Sequence, residues 1–525
     1  MENKEIASFF KLCGQLMELH EENKFKMRSY TNAAFQISKF PDPLEEMDPD
    51  YYGSIPGVGK SLIPQIEDLL DTGRLPYLEE WIEKTPKGVI EMLGIKGIGP
   101  SKVRVIWKDM GIESPGELLY ACNENRLIDY KGFGEKTQAQ VKASIEFIME
   151  NQHRVLYASV EKLTNSIIDA YQNANPSERI APIGALARKA LILDKLEFAV
   201  TSDQNLPDIS EVKSEVEFQR VDKDRFELEC FQRSATEEHL SSLRLNGETS
   251  AIQIYEKAGV NFIPVEMREG HEEFEWAKKY SEEELIQTAD LKGCLHNHST
   301  YSDGIHTLEA MARHLKDSGL EYFGICDHSQ TAVYAGGLTP GDVMLQHEEI
   351  EQLNAERAPF KVFKGIESDI LTNGDLDYEE DVLKSFDFVV ASVHSAMKMD
   401  ESTATDRLIK AVENPYTKIL GHPTGRLLLS RPGYPIDHKK VIDACAANGV
   451  SVELNANPMR LDIDWRWIPY CMDKGVMVSI NPDAHRIEGF DHMRFGVMAA
   501  RKGGLIKALC LNALSLDEIT NHWGL

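Results

Sequence analysis

From residue 291 to residue 525, strand-length apolar runs recur, and nearly all of them end in histidine or a carboxylate. Cys294-Leu-His-Asn-His298 opens the series, and Asp303 follows in a Ser-Asp-Gly turn. Residues i and i+2 of a strand point to one side, so His296 and His298 face the same place. Residues 323–328 end in Asp327 and His328, 362–367 in Glu367 and 388–394 in His394. Residues 419–422 end in His422, and 476–485 in Asp483 and His485. A further run, 450–455, ends in polar residues without histidine. Helix-like segments separate most of these runs. That alternation predicts a β/α barrel, whose functional residues gather at the carboxyl ends of its strands. Histidine repeated at strand ends does not fill a core. Imidazole and carboxylate donors without thiolates suit zinc, manganese or iron, so the pattern predicts a site for several divalent ions.

In order and spacing, His296-x-His298, Asp303, His328, Glu367, His394, His422 and Asp483-x-His485 resemble the PHP (polymerase and histidinol phosphatase) family. Gly421-His-Pro-Thr-Gly-Arg-Leu-Leu-Leu429 and Glu453-Leu-Asn-Ala-Asn-Pro458 look like the PHP domain fused to bacterial family X DNA polymerases. The resemblance implies three metal ions. His296, His298, Glu367 and Asp483 would hold one. Glu367 would bridge to a second, held by His394 and His422. Asp303, His328 and His485 would hold the third. Such ions lower the pKa of bound water toward 7 and stabilise charge on a phosphoryl group, so the implied reaction is phosphate-ester hydrolysis. Asp327, Glu453 and Asn455 read as residues behind the ligands. Arg426 and Arg431 are candidates to hold the substrate phosphate, with surface ion pairs as the alternative. The glycine-bearing loop Tyr334-Ala-Gly-Gly-Leu-Thr-Pro340 could line the mouth of the site.

Residues 1–150 read as short helices broken by three loops of one shape: Ile55-Pro-Gly-Val-Gly-Lys60, Ile95-Lys-Gly-Ile-Gly-Pro100 and Tyr130-Lys-Gly-Phe-Gly-Glu135. These resemble the helix-hairpin-helix motif. There Gly57, Gly59, Gly97, Gly99, Gly132 and Gly134 would let the backbone approach a DNA strand, and the next helix would offer free N–H groups to a phosphate. Recognition of that kind ignores base sequence. In family X polymerases a lysine of this region cleaves abasic sites through an imine. Its position here is Gln65, whose amide cannot form one.

Residues 151–287 resemble a polymerase palm that has lost its chemistry. The family signature runs Gly-Ser-x-Arg-Arg, then Gly-Asp-x-Asp. Here Ala185 stands at the serine, Lys195 at the first metal-binding aspartate and Glu197 at the second. A lysine puts a cation where an ion would sit. Glu227 is a candidate for the third carboxylate. Residues 281–284, Ser-Glu-Glu-Glu, read as a solvated linker, placing a boundary near residues 285–290.

The expected architecture is therefore multidomain, α plus α/β. It comprises a helical helix-hairpin-helix region (1–150), a degenerate nucleotidyltransferase-like palm (151–287) and a PHP domain forming a distorted (β/α)7 barrel (288–525). The expected function is a metal-dependent phosphoesterase acting on DNA, a 3′-5′ exonuclease or 3′-end processor in repair, with polymerase activity lost. The alternatives are an active family X polymerase with a PHP exonuclease, or a phosphatase of non-DNA substrates. A net charge of −28 argues against indiscriminate polyanion binding, so contacts to DNA must be local. The eight scattered cysteines read as reduced thiols of a cytoplasmic protein, no membrane span is visible, and no nucleotide cofactor is implied. Oligomeric state is not legible.

Overall fold

Apolar residues at helical spacing set the first helices. α1 (Asn3–Leu19) buries Ile6, Phe10, Cys13 and Met17, and α2 (Lys24–Lys39) buries Tyr30, Ala33, Ala34 and Ile37. Asn23 caps α2 by accepting the Phe25 N–H at 2.9 Å. The computed structural model describes residues 1–151, 153–209, 214–244 and 250–525. It separates into two units, Met1–Gln152 and His153–Leu525. The first is helical, with a core of its own from Ile6 to Ile145.

In the second unit, α3 (Tyr157–Ala174) packs beside a small sheet of β1 (Ile180–Pro182), β2 (Lys195–Val200) and β3 (Glu215–Arg220). β2 is central, antiparallel to β1 and parallel to β3. Then come seven parallel strands: β4 (Gly293–Cys294), β5 (Tyr322–Ile325), β6 (Lys361–Asp369), β7 (Phe388–Ser392), β8 (Thr417–Leu420), β9 (Ser451–Asn455) and β10 (Val478–Asn481). Each pairs with its successor in the chain. Beyond the ends of β4 and β10 the circle nearly closes, where the His298 N–H donates to the Ala484 carbonyl at 2.9 Å. This is the seven-stranded β/α barrel expected from the apolar runs, and the helical N-terminal region is present as well. Among the described residues no helix is long and apolar enough to cross a membrane.

The small sheet and the barrel are not separate bodies. Tyr157, Val160, Ile167, Leu186, Leu193, Leu196 and Phe198 lie in one apolar cluster with the barrel's core. α4 (Met493–Lys502) ends in Lys502, which is 4% exposed. Its ammonium donates to the carbonyls of Arg188 (2.9 Å) and Glu266 (3.0 Å) and to the Glu269 carboxylate (2.5 Å). Trp276 Nε1 donates to the Gly504 carbonyl at 2.8 Å. The stretch read as a linker leads straight into buried Leu285 and Ile286, and the Ile286 N–H donates to the Leu505 carbonyl at 2.9 Å. An apolar pair after an acidic run is too short a signal to reveal this docking.

Candidate metal centre

The strand ends converge as the alternation predicts. His296 and His298 follow β4 and are fully buried, and His328 follows β5. Glu367 lies in β6, His394 follows β7, His422 follows β8, and Asp483 and His485 follow β10. Asp483 sits at φ +53°, in the left-handed region that a side chain rarely adopts. Asn455 Nδ2 donates to its carboxylate at 3.2 Å.

Glu367 is the hub. It is 1% exposed, and its oxygens lie 3.0–3.6 Å from the ring nitrogens of His296, His298, His328, His394 and His422. Asp483 Oδ1 is 3.0 Å from His298 Nε2 and 3.8 Å from His296 Nε2. Asp303 lies 3.3 Å from His485 and 3.6 Å from His328. By distance the donors fall into overlapping groups: His298, Asp303, His328 and His485; His296, His298 and Glu367; His328, Glu367 and His394. His298 and His328 each straddle two groups, whereas the family resemblance gave each to one.

Electrostatics mark the same centre. Burial pushes the Glu367 carboxyl up, but the imidazoles of His394, His296 and His328 outweigh it and hold the group well below the carboxylate range. Burial and the neighbouring rings of His485 and His328 lower His298 to about 3. Several buried atoms have no hydrogen-bond partner, among them His296 Nε2, both ring nitrogens of His298, His328 Nδ1, His422 Nδ1, Asp303 Oδ1 and Glu367 Oε2. Unsatisfied buried polar atoms are costly, and clustering them among imidazoles and carboxylates fits a set of divalent-ion donors.

A ring of acids orients these donors. His296 Nδ1 lies 2.7 Å from Glu453 Oε1, and His394 Nδ1 lies 2.6 Å from Asp369 Oδ1. A carboxylate can only accept, so each ring donates from Nδ1 and turns the Nε2 lone pair to the centre. Glu453 also accepts the His422 N–H at 2.8 Å. Asp327 accepts from the backbone and hydroxyl groups of Ser299 and Ser302 and from Gln346 Nε2, which fixes the loop carrying Asp303. Asp327, Glu453 and Asn455 therefore stand behind the candidate donors. Asp369 went unread, although its i+2 spacing from Glu367 placed it on the same side of β6.

Arg426 and Arg431 are engaged by the protein itself, Arg426 in an ion pair of the kind given as the alternative. Arg426 donates to Asp464 Oδ2 at 2.6 Å, to the Arg460 carbonyl at 3.0 Å and to the Leu461 carbonyl. Arg431 turns Nε and Nη2 onto the Gly425 carbonyl. Their donors serve the loops around them. The arginine that reaches the centre is Arg460, with Nη2 3.9 Å from Asp483. Loop conformation, which sequence spacing does not report, decides between the three.

In the small sheet, Lys195 Nζ lies 3.0 Å from Glu197 and 2.6 Å from Glu217. Glu217, not Glu227, is thus the carboxylate that joins Glu197 at Lys195, because β3 runs parallel to β2 with Glu217 opposite Glu197. Glu227 pairs with Arg179 instead.

In the N-terminal unit all six hairpin glycines are exposed, while Val58, Ile98 and Phe133 between them are buried. Gly57, Gly97 and Gly132 have φ of +83°, +99° and +97°. Gly59, Gly99 and Gly134 face open space, where no heavy atom would meet an added Cβ within 4 Å. Gln65 is engaged through its amide, with Tyr30 Oη donating to Oε1 at 2.8 Å. The hairpin reading overlooked α2, which carries Lys24, Lys26, Arg28 and Lys39 without an acid and exposes Phe25 and Phe35.

Comparisons with known proteins follow this division. Residues 1–75 match a helix-hairpin-helix domain, 89–146 a SAM-like helix-hairpin-helix tandem, and 294–456 a PHP domain. The chain is 30% identical to the DNA polymerase/3′-5′ exonuclease PolX of Bacillus subtilis (strain 168), over 99% of both chains. It is also similar to two probable phosphatases. One, from Thermoanaerobacter sp. (strain X514), is 29% identical over 41% of this chain and 88% of its own length. The other, from Caldanaerobacter subterraneus subsp. tengcongensis, is 32% identical over 43% and 89%.

Proposed function

Because this chain belongs to the bacterial PolX family, we propose that it is a metal-dependent phosphoesterase that shortens DNA from the 3′ end in repair, and that it no longer polymerises. The observation that carries this reading is the buried Glu367 ringed by five imidazoles at the barrel's strand ends. His296, His298, Asp303, His328, Glu367, His394, His422, Asp483 and His485 would hold the ions, three by family resemblance, as zinc, manganese or iron. Bound ions would supply Lewis acidity toward the phosphoryl oxygens and a lowered pKa for water.

The chain's own residues do the rest. Glu453 and Asp369 fix the tautomers of His296 and His394, and Asp327 holds the Asp303 loop in place. The open glycines of the hairpins, with the basic face of α2, would hold the phosphate backbone without reading bases. Functionally we divide the chain at 1–150 for DNA binding, 151–287 for the inactive palm and 288–525 for hydrolysis. Lys195, seated between Glu197 and Glu217, supports the loss of nucleotide transfer: its ammonium fills the space two-metal chemistry needs. The probable phosphatases among its relatives favour a second reading, hydrolysis of small phosphomonoesters.

The test is digestion of 3′-labelled DNA with manganese or zinc. Release of nucleotides, abolished in His296→Ala and Asp483→Ala, is expected. Retained activity in those variants refutes the assignment, and rapid phosphomonoester turnover without DNA cleavage selects the second reading.

A further inference from the structure

Two exposed side chains on the turn that follows His328 take no part in the chemistry proposed above. Val333 and Tyr334 are 81% and 67% exposed on the single turn Val333–Ala335. Scattered exposed apolar residues are ordinary, but this turn is pinned. The Ala332 N–H donates to Ser329 O (3.0 Å), Gly337 N–H to Ala332 O (3.1 Å) and Leu338 N–H to His328 O (2.9 Å). Gly336 has φ +71°, and a Cβ on Gly337 would lie 1.9 Å from the Ser329 carbonyl, so the chain returns by a path open only to glycine. The phenol is thus held out rather than loose. Its ring centroid is 6.3 Å from that of His328.

Arg460 is the arginine that reaches the centre. Unlike Arg426 and Arg431, its guanidinium makes no hydrogen bond among the described residues, and its one ion pair, to Asp483, is long at 3.9 Å. Its donors are left for a ligand.

We propose that Tyr334 and Arg460 form a substrate clamp, the phenol stacking on an unpaired nucleobase at the strand's end and the guanidinium taking an oxygen of an adjacent phosphate. The clamp rests on the DNA phosphoesterase reading and deepens it, by naming the side chains that would take the terminal base and its phosphate. Aromatic stacking tolerates any base, in keeping with a site that reads no sequence.

The experiment uses the full-length metal-loaded protein and two 3′-terminated single strands, one ending in a normal nucleotide and one in an abasic residue, labelled alike at the 5′ end. Tyr334→Ala is expected to raise KM for the base-bearing strand about tenfold more than for the abasic strand. Tyr334→Phe and Tyr334→Trp are expected to restore the difference. Arg460→Ala is expected to raise KM on both strands, with partial rescue by Arg460→Lys. Equal effects of Tyr334→Ala on both strands, or none on either, overturn the clamp while leaving the phosphoesterase in place. If the parent protein cuts neither strand, the phosphoesterase reading fails and the clamp fails with it.

Discussion

The second unit contains two clusters of acids at strand level, and they are opposites. In the small sheet, Glu197 and Glu217 hold the half-exposed ammonium of Lys195, a built-in cation that offsets one of the two acids and occupies the space between them. In the barrel, Glu367, Asp303 and Asp483 face imidazoles, several of whose ring nitrogens lack hydrogen-bond partners. Carboxylates alone therefore do not mark a metal site. What distinguishes the barrel is orientable imidazole donors, several of them left unsatisfied in a buried place. A lysine closes such a site and a histidine opens it.

Glu367→Gln should break the contrast most severely. It removes the charge shared by five rings, and hydrolysis should fall by about 1000-fold or more, with fewer bound ions by elemental analysis. Asp369→Asn and Glu453→Gln leave every ligand in place but release the tautomers, so metal affinity should drop roughly 10- to 100-fold in chelator competition. Lys195→Asp should turn the closed cluster into an open one: millimolar magnesium should raise its melting temperature by roughly 2 °C, a rise the parent lacks.

The smallest effect is one of pH. The Lys195 ammonium holds the Glu217 carboxyl below its ordinary value of 4.5. A depressed carboxylate stabilises the fold above that ordinary value, and the contribution fades as pH falls through the folded one. Acid titration of stability should thus be shallower in Lys195→Met below pH 4.5, and parallel curves for the two proteins would show that the pair contributes nothing.

The barrel centre was legible in the sequence because strand ends are local: an apolar run followed by histidine states its own position. The hairpins were legible for the same reason, each carrying its glycines within six residues. Glu217 was missed because its neighbour Lys195 lies on another strand, and the register of two parallel strands is set by packing. Arg460 and the engagement of Arg426 and Arg431 depend on loops whose paths follow from tertiary contacts. The short pair Leu285 and Ile286 looked like the end of a linker, although both are buried, Leu285 with Tyr255 and Trp276 and Ile286 in the cluster of the barrel's core.

The merging of Leu186, Leu196 and Phe198 into the barrel's core has an evolutionary reading. A segment that contributes to a neighbour's interior cannot be deleted when its own chemistry lapses; only its catalytic positions are released from selection. Lys195 on an intact strand fits the proposed loss of nucleotide transfer without loss of the segment that carries it. Relatives nearly matched by 41% of this chain should carry some other cover, or a more polar surface, where Lys502 and Gly504 here meet the small sheet's side.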